Sequence, residues 1–340
     1  MKSTRILLTG GLGYIGSHTA AFLVEHGYHV VLLDNLCNSK IDVLEKIQLT
    51  SGKKIPLYLV DIRDKEQVQK VLFDNQIEAV IHLAGLKSVA ESAINPISYY
   101  DINVRGSVSL ISAMKELKIK KMIYSSSATV YGTPQYLPYD ERHPLAPTSV
   151  YGKTKLLVEQ ILQDLVISDS EWSVVSLRYF NPVGAHESGL IGESPNGIPN
   201  NLMPYLCQVA SGRLPHLNIF GVDYDTKDGT AIRDYIHVMD LAEGHLAAMN
   251  FADTQYGFDA LNLGTGEPHS VSDLIAAFEK VNRVSIVKKI QARRDGDLPI
   301  YYTNIEKAKN SIGWQARYKL EEMCFSAWQF EKRNAIPSSN

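Results

Sequence analysis

A doubly wound α/β protein is the fold class the sequence predicts: a parallel sheet covered on both faces, with a smaller mixed α/β domain beside it. Three observations predict it. Short apolar runs alternate with amphipathic helical stretches from the first residues onward. The runs are continuously apolar rather than alternating, as strands buried on both faces require. After Asn181 the alternation stops and the chain becomes rich in Gly, Pro, Ser and Asn through Asn201, the composition of long loops.

Taken in order, residues 5–9 read as a buried strand and 14–27 as a helix ended by Gly27. Strands follow at 29–34, 55–61 and 79–84, with a helix at 64–75. A long helix spans 99–117, then a strand at 121–125, a helix at 150–164 and a strand at 173–178. Shorter helices at 202–210, 238–250 and 271–281 mix with short strands, and the tail after Phe330 reads as polar and frayed. At 340 residues the chain exceeds one ordinary core. The division expected is 1–180 for the parallel sheet and 181–340 for the smaller domain. Within the latter, a segment near 236–263 is expected to pack back on the first. Sheets of this kind bind ligands at the carboxyl ends of their strands, so the second half reads as a cover over that edge.

Composition narrows the function. A formal net charge of −3 gives no broad field for nucleic acid or an anionic membrane. The three cysteines, Cys37, Cys207 and Cys324, are far apart and suggest no disulfide framework, which favours a reducing compartment. The apolar run Ile6-Leu7-Leu8 behind Met1-Lys2-Ser3-Thr4-Arg5 stops at Thr9-Gly10-Gly11, too soon for a signal peptide. No stretch has the length of a membrane span, and a cytoplasmic protein is expected. The histidines lack metal-ligand spacing, so no metal is expected.

Between the first strand and first helix lies Thr9-Gly10-Gly11-Leu12-Gly13-Tyr14-Ile15-Gly16, which satisfies both GxGxxG and GxxGxxG. Glycine there permits the tight turn and the approach of backbone to a pyrophosphate, and the helix N-terminus offers free N–H groups. In that setting the motif makes the sheet Rossmann-like and predicts a dinucleotide site. Asp34 closes the second strand ~20 positions on, where a carboxylate accepts ribose hydroxyls. A carboxylate there repels a 2′-phosphate, and Asn35-Leu36-Cys37-Asn38 offer no arginine to bind one, so NAD is favoured over NADP. Asp61-Ile62 could reach the adenine, and Leu83-Ala84-Gly85 place small residues where backbone must pass a cofactor. Both also read as ordinary turns and count only in combination. Gly264-Thr265-Gly266 lacks a following Gly-Lys-Ser/Thr and reads as a turn.

The chemistry is concentrated in Tyr151-Gly152-Lys153-Thr154-Lys155, which sets a tyrosine and a lysine on one helical face. A phenol of ordinary pKa ~10 is protonated at neutral pH, and a neighbouring ammonium and nicotinamide cation favour its phenolate. Ser125-Ser126-Ser127 ends the preceding strand at the same edge of the sheet, where the Ser127 hydroxyl could bridge a substrate oxygen and the phenol. A Ser, a Tyr and a Lys converging beside a dinucleotide site form a dehydrogenase-like constellation.

With these motifs the chain resembles the extended short-chain dehydrogenase/reductases and, among them, the UDP-glucose 4-epimerase family. The resemblance covers nearly the full length. It rests on TGGLGYIGSH from Thr9, Asp34-Asn35, HLAGLKSV from His82, SSSATVYG from Ser125 and Tyr151–Lys155. It continues in LRYFNPVGAH from Leu177, IPNNLMPY from Ile198, RDYIHV from Arg233, NLGTG from Asn262 and RRDGDLP from Arg293. The resemblance implies that Tyr151 deprotonates the sugar 4-hydroxyl while C4 gives hydride to a tightly held NAD. The 4-keto sugar then turns and takes the hydride back on its other face, interconverting UDP-galactose and UDP-glucose in galactose metabolism. Lys155 would bind the nicotinamide ribose and tune Tyr151, and Ser127 would orient the proton.

Gly10, Gly13, Tyr14, Ile15, Gly16, Asp34, Asn35, Asn38, Asp61, Ile62, Leu83, Ala84, Gly85, Lys87 and Asn103 match cofactor positions, with Tyr179 and Phe180 near the nicotinamide. The UDP-sugar would be held by Arg233 and Arg294 on the diphosphate and Asp297 on the uridine ribose. Lys87, Asn181, Asn201, Leu202, Asn218, Phe220 and Tyr235 would line the rest. Tyr301 would narrow the sugar pocket, so UDP-N-acetylhexosamines are expected to react poorly. A 4,6-dehydratase of this fold would carry Asp-Glu after the catalytic Ser or Thr, where this chain has Ala128-Thr129. The resemblance also implies a homodimer formed through helices 99–117 and 150–165. The remaining alternatives are a 4-epimerase of UDP-glucuronate or a UDP-pentose, and a non-catalytic NAD-sensing regulator.

Overall fold

The structure is a computed structural model that describes residues 4–294 and 296–335. Residues 1–3, Asp295 of the RRDGDLP motif and the end of the polar tail, 336–340, lie outside the described residues. The chain opens with β1 (Arg5–Thr9), α1 (Tyr14–Glu25), β2 (His29–Asp34), α2 (Asp42–Ser51), β3 (Leu57–Leu59), α3 (Lys65–Asp74) and β4 (Ala79–His82). Next come α4 (Val89–Ile94), α5 (Pro96–Tyr99), a π-helical stretch Tyr100–Arg105, α6 (Gly106–Glu116), β5 (Lys121–Ser127), α7 (Val150–Ser168) and β6 (Ser173–Tyr179). The second half runs β7 (Asn181–Val183), α8 (Leu202–Ala210), β8 (Leu217–Phe220), β9 (Ile232–His237), α9 (Val238–Ala252), β10 (Gly257–Leu263) and β11 (Pro268–Ser270). It closes with α10 (Val271–Asn282), β12 (Lys288–Gln291), β13 (Ile300–Tyr301), α11 (Glu306–Ile312) and α12 (Leu320–Ala335).

Seven strands pair in the order β10-β6-β5-β4-β1-β2-β3, every pairing parallel. This is the doubly wound sheet predicted, with its switch point between β1 and β4, where ligands of such sheets bind. Continuously apolar strands need cover on both faces. On one face Leu8, Leu32, Ile81 and Leu261 pack with Ala20, Leu23, Ala248 and Met249 of α1 and α9. On the other, Leu7, Val80 and Met122 pack with Val68, Leu110, Met114, Val158 and Leu162 of α3, α6 and α7. A separate core joins Met203 and Leu206 of α8, Leu274 and Phe278 of α10, and Met323 and Trp328 of α12 over Leu217 and Tyr235. There, β9 pairs with β7, β11 and β13, and β12 pairs with β8.

Three elements differ from the sequence-based expectation. The helix expected over 99–117 is continuous from Pro96 to Glu116, but it winds as a π-helix over Tyr100–Arg105, which carries Asn103, buried, toward the sheet edge. β10 was hidden by Asp259 and Asn262. It forms because Asn262 is satisfied by the Tyr131 hydroxyl at 2.6 Å and the Tyr139 carbonyl at 3.2 Å. The chain after Phe330 continues α12 as far as Ala335, held by the buried Glu331, which accepts from Ser211 Oγ at 2.7 Å and pairs with Arg213.

Candidate active site

The glycine loop leaves β1 and passes under the end of β4. Gly10 has φ +68°, and a Cβ there would stand 2.8 Å from the Ala84 nitrogen; a Cβ on Gly16 would overlap the Gly10 carbonyl oxygen. Glycine is therefore required by close backbone approach as well as by the left-handed turn. Gly13 N–H donates to Gly10 O at 3.1 Å, and Gly13 caps α1 without any side-chain bond to the first turn. The start of α1, with Tyr14 and Ile15 half-buried, presents main-chain donors at the sheet edge.

Asp34 is buried at the end of β2 and accepts from Leu12 N at 3.0 Å, Leu36 N at 2.9 Å and Ser39 Oγ at 2.7 Å. A carboxylate has about four acceptor sites, so it keeps capacity for a hydroxyl donor. Asn35 donates to Asp61 at 2.9 Å, and Arg63 grips the same carboxylate, which holds Asp61 well below the usual range. Asn38 is exposed beside them, while Ile62 is buried against Gly106. Leu83 and Ala84 are half-buried and Gly85 exposed after β4. The Asn103 amide receives Leu86 N at 2.7 Å and donates to Leu86 O at 3.0 Å and Thr154 Oγ1 at 3.1 Å. It thereby ties the loop after β4 to the first turns of α7.

That helix is fixed by its cap, Ser149 Oγ accepting from Gly152 N at 3.0 Å, which puts Tyr151 in the first turn. Tyr151 N donates to Ser92 Oγ at 3.1 Å. Ser127 ends β5, where it favours ionisation of the Tyr151 phenol, and accepts from Thr129 Oγ1 at 2.9 Å. Lys155 Nζ donates to Ser125 O at 2.6 Å and lies 5.9 Å from the centre of the Tyr151 ring. The three residues converge. Burial pushes the Tyr151 phenol up to about 12, with Ser127 pulling against it. Burial brings the Lys155 ammonium down to about 8, opposed by Glu159. The sequence-based expectation of a phenol drawn down by Lys155 thus meets a stronger opposing effect in burial. Behind them Tyr179, buried, shares a hydrogen bond with His245 Nε2 at 2.6 Å, and Phe180 packs 5.2 Å from Tyr301.

The facing wall comes from the second half. Arg233 pairs with Asp297 at 2.7 Å and donates to the carbonyls of Ile232 and Leu298 at 2.8 Å each. Arg294 lies 3.9 Å over the Phe220 ring. Asn218 accepts from Gln291 at 3.1 Å. Asn201 caps α8 just before Leu202. The Asn181 Oδ1 and the hydroxyls of Tyr235 and Tyr301 are buried with no hydrogen-bond partner among the described residues. Buried polar atoms are rarely left unpaired, so this wall fits a polar ligand.

The structure also brings in residues that the sequence did not single out. Glu193 accepts from both Lys87 Nζ and Asn201 Nδ2, each at 2.8 Å. A lone glutamate in a polar loop gives no signal of this. Tyr224, buried with its hydroxyl unpartnered among the described residues, lies under Arg293 at 4.3 Å. Asp234, next to Arg233, accepts from Thr265 N at 2.7 Å, Gly266 N at 2.9 Å and Thr303 N at 3.2 Å. It is this bond set that gives the Gly264-Thr265-Gly266 turn its place. Among the described residues no group of His, Cys, Asp and Glu is arranged to hold a metal ion.

Residues 7–326 match the family model described as GDP-mannose 4,6 dehydratase. The chain is 52% identical over 329 residues to the UDP-glucose 4-epimerase of Bacillus subtilis (strain 168), covering 97% of each. Among solved structures it superposes with a TM-score of 0.96 on a Stenotrophomonas maltophila UDP-glucose-4-epimerase with bound NAD and formylated UDP-arabinopyranose. The two are 44% identical, over 98% of this chain and 99% of that one. A Bifidobacterium longum UDP-glucose 4-epimerase in complex with NAD+ and UDP gives 0.94 at 46% identity, over 97% and 99%. By full-length sequence identity, sheet topology and the Ser–Tyr–Lys edge alike, the chain belongs to the UDP-glucose 4-epimerase family of extended short-chain dehydrogenase/reductases.

Proposed function

We propose that the protein inverts C4 of a UDP-hexose, interconverting UDP-galactose and UDP-glucose, with NAD as its resident cofactor. The observations that support this are Lys155 bonded to Ser125 O and 5.9 Å from the Tyr151 ring, at the end of the strand that carries Ser127, and the Asn181, Tyr235 and Tyr301 polar atoms, buried and unpartnered among the described residues. The residues present fit a dinucleotide. An α1 start without a side-chain cap and a carboxylate at the end of β2 match pyrophosphate and ribose. When bound, NAD supplies reversible hydride acceptance at C4 of the sugar.

The chain's own residues do the rest. Tyr151 takes the 4-hydroxyl proton and returns it, and Ser127 holds the phenol and the sugar oxygen in line. Lys155, anchored on Ser125 O, supplies the positive charge that favours the phenolate against burial. Lys87, Asp34, Asn35 and Asn103 hold or shape the cofactor side. Arg233 and Arg294 bind the diphosphate, for which guanidinium geometry is suited, and Asp297 turns to the uridine ribose. Phe220 and Asn218 border the base, and Tyr301, wedged between Tyr139 at 5.1 Å and Phe180, limits the sugar's bulk.

Cytosolic residence and a homodimer belong to the same proposal. None of the described helices is long and apolar enough to cross a membrane. Tyr100, Val108 and Leu157 expose apolar surface on the π-helical stretch, α6 and α7, the elements expected to pair. The functional reading is tested by incubating purified protein with UDP-galactose and no added NAD. UDP-glucose should form. No product with or without added NAD would move the reading to another UDP-sugar or to a regulator.

A further inference from the structure

Tyr301 lies on β13, a strand two residues long whose ladder partner is β9, where it stands beside Arg233. So short a strand makes few ladder bonds and fixes a side chain poorly by itself. Its other flank is held by Tyr139. Tyr139 N donates to Tyr302 O at 3.0 Å, and Tyr139 O accepts from Asn304 N at 2.8 Å and from Thr303 Oγ1 at 3.3 Å. The segment around residue 301 is thus clamped between β9 and the loop that follows β5.

The rings are packed in the same order. Tyr139 is fully buried and meets the Tyr301 ring edge to face, 5.1 Å between centres. Phe180 meets Tyr301 at 5.2 Å and Tyr139 at 6.4 Å. Behind Tyr139, Tyr131 stacks at 5.0 Å with the planes 22° apart. Tyr131 is itself fixed: it donates to Asn262 Oδ1 at 2.6 Å and accepts from Arg178 Nη1 at 3.0 Å. Arg178 in turn pairs with the buried Glu159 at 2.6 Å. The Tyr139 hydroxyl is used up in the wall, donating to Gly132 O at 2.7 Å. The Tyr301 hydroxyl, in contrast, is buried with no partner among the described residues. Buried hydroxyls are rarely left so, and a ligand atom is the partner that fits.

Protein interiors hold little free volume, so a ring withdraws only where another makes room. Tyr301 has the bonded Tyr139–Tyr131 stack behind it and no room to withdraw. We propose that Tyr139 is a positioning residue that determines specificity: it holds the Tyr301 ring forward and thereby sets the width of the sugar pocket, excluding a UDP-sugar that carries an acetamido group. The inference rests on the reading that the site takes a UDP-hexose with Tyr301 beside the sugar.

The test is Tyr139→Leu, read as kcat/KM for UDP-N-acetylgalactosamine against kcat/KM for UDP-galactose, with Tyr139→Phe beside it. Leucine keeps the main-chain bonds to Tyr302 and Asn304 and leaves a cavity into which Tyr301 can recede. Phenylalanine keeps the ring and loses only the bond to Gly132. In Tyr139→Leu the ratio should rise about 10–100-fold in favour of the acetamido sugar, the range over which pockets discriminate by bulk. In Tyr139→Phe it should stay. A Tyr139 that only supports the fold would lower both substrates by one factor. An unchanged ratio in Tyr139→Leu, or an equal rise in Tyr139→Phe, overturns the proposal. Where Tyr139→Leu does not fold, Tyr139→Met, whose flexible side chain fills more of the gap, decides by the same criterion. Absence of UDP-galactose turnover in the unaltered protein sinks the functional reading instead. The ratio of Kd values for the two UDP-sugars, Tyr139→Leu against the unaltered protein, then decides the inference.

Discussion

The two walls of the cleft are built by different means. On the sheet side, site residues sit at strand ends, in the turns that follow them and on the helices behind, and their places are set by contacts to main chain: the Gly10 and Gly16 contacts, Ser149 Oγ on Gly152 N, the Asn103 amide on Leu86. On the facing side, they come from separate segments around Asn181, Asn201, Asn218, Arg233 and Arg294, and several are held by one another. Arg233 pairs with Asp297, Arg293 with Asp223, and Asn201 donates to Glu193, which also reaches Lys87 in the loop after β4 on the sheet side. A wall fixed by main chain suits a resident cofactor that must not move between turnovers. A wall of exchangeable ion pairs suits a substrate that enters and leaves, because each charge has a partner in both states.

The largest expected effect is on the sheet side. Tyr151→Phe removes the reacting oxygen and little else, so kcat should fall ~10²–10⁴-fold, the range of a positioned acid–base group, with cofactor retention unchanged. Near-normal turnover would remove Tyr151 from the role of base and erase the contrast in function between the walls.

Acid should act next, and through both halves. His18, His82 and His237 are buried and held neutral at about 3, and His245 at about 4, desolvation being the main cause in each. These values lie below the ordinary ~6.5 of an unfolded chain. The stability they contribute is therefore fully present above pH ~6.5 and is lost as pH falls toward the folded values. Each such group costs about 1.4 kcal/mol per pH unit over that window. Urea midpoints should drop steeply from pH 6.5 to 4.5; a flat profile there would contradict the burial of these rings.

On the substrate side, Arg233→Ala should raise KM for the UDP-sugar ~10–100-fold, as loss of a charge-assisted contact worth about 1.5–3 kcal/mol does. Asp297→Asn should change KM only a few-fold, since Arg233 keeps the Ile232 and Leu298 carbonyls. Equal effects would mean that the pair acts as one fixed unit. The smallest effect is expected at Glu193→Gln. Lys87 is 52% exposed and Glu193 9%; the amide of Gln keeps an oxygen for Lys87 and Asn201, so KM should shift within a few-fold. A tenfold change would place Glu193 in the binding step.

The same contrast explains what could be read without coordinates. Residues at the carboxyl edge of the parallel sheet announce themselves, because a glycine loop, a terminal Asp34 and a Tyr-x-x-x-Lys at a helix start are local patterns with one physical reading together. The π-helical turn around Asn103 is not local in that sense; its amide is bonded to Leu86 and Thr154, far along the chain. β10 was hidden because its polar Asn262 is paired only by Tyr131 and Tyr139, more than a hundred residues away in the chain. The Glu193 bridge and the Glu159–Arg178 pair are tertiary, and an isolated acidic residue carries no trace of its partner. Arg233 and Arg294 were found through the resemblance, while their engagement with Asp297 and Phe220 required the fold.

The central claim is that hydride leaves and returns to the same carbon within one closed site. UDP-galactose carrying deuterium at C4 of the sugar, incubated with the purified protein in ordinary water without added NAD, tests it most directly. The expected product is UDP-glucose with the deuterium retained at C4. Label lost to solvent, or conversion that requires stoichiometric NAD, would contradict it.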